Sequence, residues 1–359
     1  MAYQDLIIAL QPLANSERYR VITHSPTNGR VSAQFVSPFG DERIHTWRNG
    51  LAPREMRQIG ALLYRRLFSP EICQAFQATQ RFAERQGLAL RLKLAIDSTL
   101  MQLPWEYLYN PDVGEFFCLE GRLALTRHFN AALPRKPFDW SDLVIYYTSA
   151  ADDATPDVDF LMRLAEKNGI TTRRLALATL ENDAMALTHA QIWHVQTTGG
   201  RDPASGSYAL RLSNRQPEQW LTAAKIARWL DPSAAILLGV IDGGTRATSD
   251  SYAVSAVAAE LVERQIIASA VTFQFPLDAS LRKAFFQSFY RALSKQMGPD
   301  LAVSEGRRAI AEQGGIWEWG APVLYSALPD DQPRPDADKF DAEYISAQAM
   351  TPDVKEKFW

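Results

Sequence analysis

The hydrophobic positions of this chain change rhythm about a third of the way along. Residues 4–10, 17–25 and 30–37 read as strands, and RYRVIT and RVSAQFV alternate apolar with polar, the period of a half-exposed antiparallel hairpin. Pro26, Asn28 and Gly29 supply the turn between them. From Pro53 the spacing turns helical, through Met56, Ile59, Leu62, Leu63 and Leu67. After Ser69-Pro70 it continues through Ile72, Phe76 and Phe82 to a stop at Gly87. LALRLKLAI (88–96) alternates again as a strand. LPWEYLY (103–109) and FFCLEGRLALTRHF (116–129) read as further extended pieces around a turn at Asn110-Pro111-Asp112. A proline-rich joint, 133–140, ends this part.

Beyond residue 142 strands and helices alternate. DLVIYYT, RRLALAT, QIWHV, AAILLGVI and IIASAVTFQF are apolar along most of their length, and helical patterns at 157–168, 179–190, 221–230 and 250–264 separate them. Strands of that kind imply a parallel sheet covered on both faces. SYALRLS (207–213) reads as a small flanking strand. Helices at 279–297 and 299–313 follow, and APVLYSAL (321–328) is placed to close the sheet. The expected organisation is an α+β prelude over 1–135, an α/β domain over 140–330 and a C-terminal extension over 331–359. That extension, acidic, proline-marked and aromatic-tipped, is expected to dock on the protein itself or on a partner.

Composition narrows the function classes. The 359 residues are 47% hydrophobic and 22% charged, and 38 basic against 41 acidic residues give a net charge of −3. Such a chain has no sustained basic field for nucleic acid. No apolar run reaches the roughly 18 residues that span a bilayer, and the first residues lack a charged leader, so a cytoplasmic location is expected. Cys73 and Cys118 have no metal-ligand spacing and read as buried thiols. The phosphate-binding and dinucleotide fingerprints are missing, as are internal repeats, and no cofactor or metal is expected.

The stretch 191–200, QIWHVQTTGG, draws attention because a buried strand runs into a hydroxyl- and glycine-rich turn whose backbone, at Gly199, lies at the carboxyl edge of the sheet. AAILLGVIDGG (234–244) repeats the arrangement, and the two strand ends are expected to bound a cleft. Loops at 149–156, 197–206, 241–250 and 275–280 place Asp152, Asp153, Asp242 and Arg246 around it. These residues read either as solvated caps and loop positions or as polar contacts for a peptide or small ligand. His194, four residues before the turn, reads as a core residue or a ligand contact.

LPWEYLY, FFCLEGRLALTRHF, the strand series, SFYRALSKQMGPDLAVSEGRRAI and WEWGAPVLYSAL together resemble the CHAT domain, a branch of the caspase-like cysteine peptidases. The resemblance implies a caspase-like α/β sheet flanked by helices. It also implies a catalytic histidine at the end of the third core strand and a catalytic cysteine at the end of the fourth. Carried onto this chain, those positions are Thr198 and Ile241, with His194 at a non-catalytic histidine. Threonine does not titrate near neutral pH and isoleucine carries no nucleophile, whereas thiol catalysis needs a thiolate and a base beside it. No cysteine follows Cys118.

The expected role is thus that of a catalytically inactive interaction or regulatory protein of a bacterial defence or programmed-death system. Its partner would be a protein or peptide, such as a peptidase, a nucleotide sensor or a repeat protein encoded nearby. The alternatives are a hydrolase with an unconventional centre, or a peptidase substrate or inhibitor. In the family an acidic pocket binds basic side chains, which gives Asp152, Asp153 or Asp242 an Arg or Lys to hold. Trp47, Trp220, Trp229, Trp317 and Trp319 are candidate interface anchors, or core.

Overall fold

The computed structural model describes residues 3–13, 17–25, 29–40, 52–97, 99–129, 144–149, 156–176, 192–211, 219–229, 238–243 and 251–327. They fall into two compact units, Met1–His128 with Arg307–Gly320, and Phe129–Gly306 with Ala321–Pro333. Among the described residues no helix is long and apolar enough to cross a membrane.

The first unit opens with strands β1 (Tyr3–Pro12), β2 (Arg18–Ser25) and β3 (Gly29–Val36), of which β2 and β3 form the expected antiparallel hairpin. Helices α1 (Pro53–Leu67) and α2 (Pro70–Arg85) follow, each with proline in its first turn, where the missing N–H costs nothing. Ser69 caps α2 by accepting a hydrogen bond from the Ile72 N–H. Strands β4 (Ala89–Ala95), β5 (Tyr109–Asn110), β6 (Glu115–Phe116) and β7 (Leu123–His128) complete the unit. Its sheet runs β3-β2-β1-β4-β7, and both β1 with β4 and β4 with β7 are parallel. Along β1 the side chains alternate in burial, with Leu6 and Ile8 fully enclosed.

The Leu-Pro-Trp-Glu segment is not extended, contrary to the sequence reading. Leu100–Gln102, Trp105–Tyr107 and Phe117–Leu119 are tight 3-10 turns, and Cys118 lies in one of them rather than in a strand. The reason is side-chain bonding that alternation does not reveal. Trp105 donates its indole N–H to the Leu100 carbonyl at 2.8 Å. Glu106, wholly buried, receives the fork of Arg127 from β7 at 3.1 and 2.6 Å. The same guanidinium donates to the carbonyls of Met101 and Leu103. Two charges out of water are tolerated only with this complete set of partners.

In the second unit the core strands are β8 (Val144–Ser149), β9 (Thr171–Ala176), β10 (Ile192–Gln196), β14 (Leu238–Asp242), β15 (Ser269–Phe273) and β16 (Pro322–Ser326). They are ordered β16-β15-β14-β10-β8-β9. The sheet is mixed rather than wholly parallel, because β16 runs antiparallel to β15. Between β10 and β14 the chain makes a separate antiparallel sheet of β11 (Gly199–Arg201), β12 (Tyr208–Arg211) and β13 (Trp220–Thr222). Pairing of β13 with β12 delays the start of the next helix, α4 (Ala223–Trp229), from the expected residue 221.

Helices α3 (Pro156–Lys167), α5 (Ser251–Glu263) and α6 (Ala279–Ser294) accompany these strands, and α7 (Pro299–Glu312) belongs to this unit as far as Gly306. The pleat assigns α5 and α6 to opposite faces. Tyr325, level with Ala270, meets Ser255 of α5 at 2.8 Å, whereas Phe273 and His194 point to the other face and meet Phe286 of α6. Every described residue of β14, β15 and β16 is buried, as two covered faces require.

Two substitutions in the first unit test this account. Removing the Glu106 charge alone, as Glu106→Gln, leaves the Arg127 guanidinium uncompensated. It should lower the unfolding free energy by about 3–5 kcal/mol in urea titrations. At Gly60 in α1 an added Cβ would stand 2.0 Å from the Tyr107 carbonyl oxygen. Gly60→Ala should therefore destabilise the protein, although alanine is the better helix former by about 1 kcal/mol. Its midpoint should fall below that of the parent.

Candidate functional site

The strand order reverses between β8 and β10, the place in an open α/β sheet where ligands bind beyond the carboxyl ends of the strands. β10 ends there at Gln196, level with Asp242, the last residue of β14. Thr197 continues the ladder by one bond, donating its N–H to the Asp242 carbonyl at 2.9 Å, and its hydroxyl donates to the Arg211 carbonyl at 2.5 Å. Thr198 is half-buried and its carbonyl accepts from the Arg211 N–H.

Gly199 and Gly200 are not an open turn. They pair with Leu210 and Ala209 as β11, and the Trp220 ring packs so close over Gly200 that a Cβ there would lie 2.6 Å from it. Arg211 sits 5.5 Å above the same ring on the β12 side. The following turn is tied by Asp202, which accepts from the Ala204 N–H and the Ser205 hydroxyl. Those bonds, chiefly the one from Ser205, hold its carboxyl below the usual range.

Beneath this edge lie two buried polar pairs, both reaching α6. His194 is wholly enclosed; its Nδ1 is 2.6 Å from the Tyr290 hydroxyl and its ring lies against Phe286. Burial, with a smaller contribution from the positive charge of Arg282, pushes the imidazole down to about 3. It is therefore neutral at physiological pH. Asp242, 1% exposed, is ion-paired with Arg282, itself 3% exposed.

Ile241, between them in sequence, points to the opposite, α5-covered face beside Val195 and Thr272, and is 0% exposed. It thus lies within β14 and not in a loop. Asp152, Asp153 and Arg246 lie outside the described residues, as do Trp47 and the segment 331–359, and of Trp229 only the backbone is described. Trp319 is core, with its ring 5.1 Å from Tyr107.

Sequence reading gave α6 only its apolar positions and passed over Arg282 and Tyr290. The signal was a single basic residue on the stripe Arg282-Phe286-Tyr290, spaced by four so that all three share one helix face. Both thiols belong to the first unit. Cys118 is fully buried, accepts a hydrogen bond from Arg307 at 3.2 Å, and is pushed up to about 11 by burial. Cys73 is half-buried near the Tyr64 hydroxyl. Among the described residues no group of three or more His, Cys, Asp or Glu side chains could hold a metal ion.

No curated protein matches the chain. Among solved structures, a chain of the crystal structure of the Saccharomyces cerevisiae separase–securin complex is similar, with a TM-score of 0.45 and 10% identity. The similarity covers 90% of this chain and 30% of that one, so the protein spans less than a third of its structural neighbour. The model of the CHAT domain family matches residues 57–327, from the middle of the first helix of the prelude through β16. With three quarters of its length under that match, the chain belongs to the CHAT domain family.

Proposed function

We propose that this CHAT protein has given up peptidase chemistry and works by binding another protein or a peptide, as a component of a bacterial defence or programmed-death pathway. The observation that supports this most is the use to which the residues at the ends of β10 and β14 are put. The imidazole nearest the edge is sealed in the core, neutral and held by Tyr290. The carboxylate that ends β14 is spent on Arg282. At the positions to which the resemblance carries the dyad stand Thr198, a half-buried hydroxyl, and Ile241, a hydrocarbon in the sheet. Acyl transfer through a thiol needs a nucleophile that ionises and an imidazole that exchanges protons with the leaving amine. Neither function is supplied by these side chains.

What remains is a scaffold whose described strand edge is polar, at Gln196, Thr197 and Asp242. The small β11–β13 sheet pairs the backbone that follows β10, which suits recognition, where a preformed surface lowers the ordering cost. An interaction role therefore draws on the fold without its chemistry.

Purified protein incubated with a peptide library and with a thiol-reactive peptidyl probe should release no fragments, and any labelling should disappear in Cys73→Ala. Affinity purification with neighbouring gene products should instead recover a protein partner. Fragments that vanish on substitution of Thr198 or Asp242, with folding unchanged, would establish the opposite reading of an unconventional hydrolase.

A further inference from the structure

We propose that two copies of this chain associate edge to edge through β3, antiparallel about a two-fold axis. The inference begins with the hydrogen-bond alternation in the hairpin. The Ser37 N–H donates to the Glu17 carbonyl at 2.8 Å, and the register continues from there as Arg18 opposite Val36 and Tyr19 opposite Phe35. In an antiparallel ladder the bonded and non-bonded pairs alternate. Phe35, Ala33, Val31 and Gly29 thus bond to β2, while Val36, Gln34, Ser32 and Arg30 turn their N–H and C=O groups outward. Among the described residues β3 has β2 as its one ladder partner.

The side chains then select the register. Phe35 is buried against Tyr19 and Trp105, with Ala33 and Val31 half-buried on the same face; Arg30, Ser32, Gln34 and Val36 are exposed on the other. A second strand must keep like faces together, since a slip of one residue would turn the apolar set to water. Pairing about Ala33 satisfies this. Ala33 meets its own copy, Val31 meets Phe35, Ser32 meets Gln34 and Arg30 meets Val36. The outward backbone groups then fall opposite one another, each bonded pair exchanging two hydrogen bonds. No two arginines of β3 face each other, and the exposed Val36 gains cover.

The terminal strand of the other unit's sheet shows the contrast. β9 carries adjacent Arg173 and Arg174, a charged edge of the kind that repels a second strand. β3 has no lysine or proline and one charge, near its end. It is an edge fitted for pairing, and the two-fold makes that pairing self-limiting.

Sedimentation of the full chain should give a species of twice the 40.3 kDa monomer mass. The double variant Ser32→Lys/Gln34→Lys brings lysines together across the axis at two exposed positions. It should weaken association at least tenfold, with the melting temperature unchanged at dilutions where the parent too is monomeric. Mild oxidation should cross-link Ala33→Cys, whose copies meet at the centre, and leave Ser32→Cys and the parent uncross-linked. A parent that stays monomeric at about 100 μM, a dimer indifferent to the lysines, or cross-linking through Ser32→Cys in place of Ala33→Cys would overturn the proposal.

Discussion

Everything at the carboxyl edge of the second sheet depends on the ion pair between Asp242 and Arg282. A carboxylate this deeply enclosed is tolerated only with a cation at bonding distance, and the cation comes from the first turn of α6. The pair therefore fixes the height of α6 along β14. One turn on, Phe286 meets His194, and a further turn places Tyr290 on the imidazole. Burial, helped by the charge on Arg282, keeps the imidazole from accepting a proton. One helix face thus holds the acid and the base of this region and makes both structural.

The same economy appears in the first unit. Glu106, part of the segment that carries the family resemblance, is a buried anchor for Arg127 rather than a group turned to solvent. Asp5 on β1 is likewise enclosed between Arg91 and Lys93 of β4, whose hydrogen bonds and charges outweigh burial and hold its carboxyl down. The identities of these residues follow from packing. Membership of the family is compatible with a chain in which the charged positions best placed for chemistry serve the fold.

Much of the architecture was legible because period alone carries it. The β2–β3 hairpin, α1 and α2 behind their prolines, and the apolar strands from β8 to β15 each lie close to where alternation or helical spacing put them. Two features escaped for one physical reason. The turns at 100–107 and the strand character of Gly199–Arg201 are set by contacts far along the chain: Arg127 on Glu106, and Trp220 over Gly200. Local pattern cannot carry such contacts. The direction of β16 escaped likewise, since an apolar strand reads alike in either sense. At the site, the burial of His194 was legible from its distance to the turn, whereas Tyr290 lies 96 residues from His194 and Arg282 40 from Asp242, and they leave only a charge on an apolar stripe.

The central claim is that His194 is a neutral structural group, and its protonation tests this most directly. An imidazole with an unfolded value near 6.5 and a folded value of about 3 contributes stability that is present above pH 6.5 and lost as the pH falls from there toward 3. Unfolding free energies of the parent and of His194→Phe, measured from pH 7 to 4, should therefore converge as the pH drops. The parent should lose about 1.4 kcal/mol per pH unit that the variant does not. A difference that stays constant with pH, with the His194 ring titrating near 6.5 in the folded protein, would contradict the account.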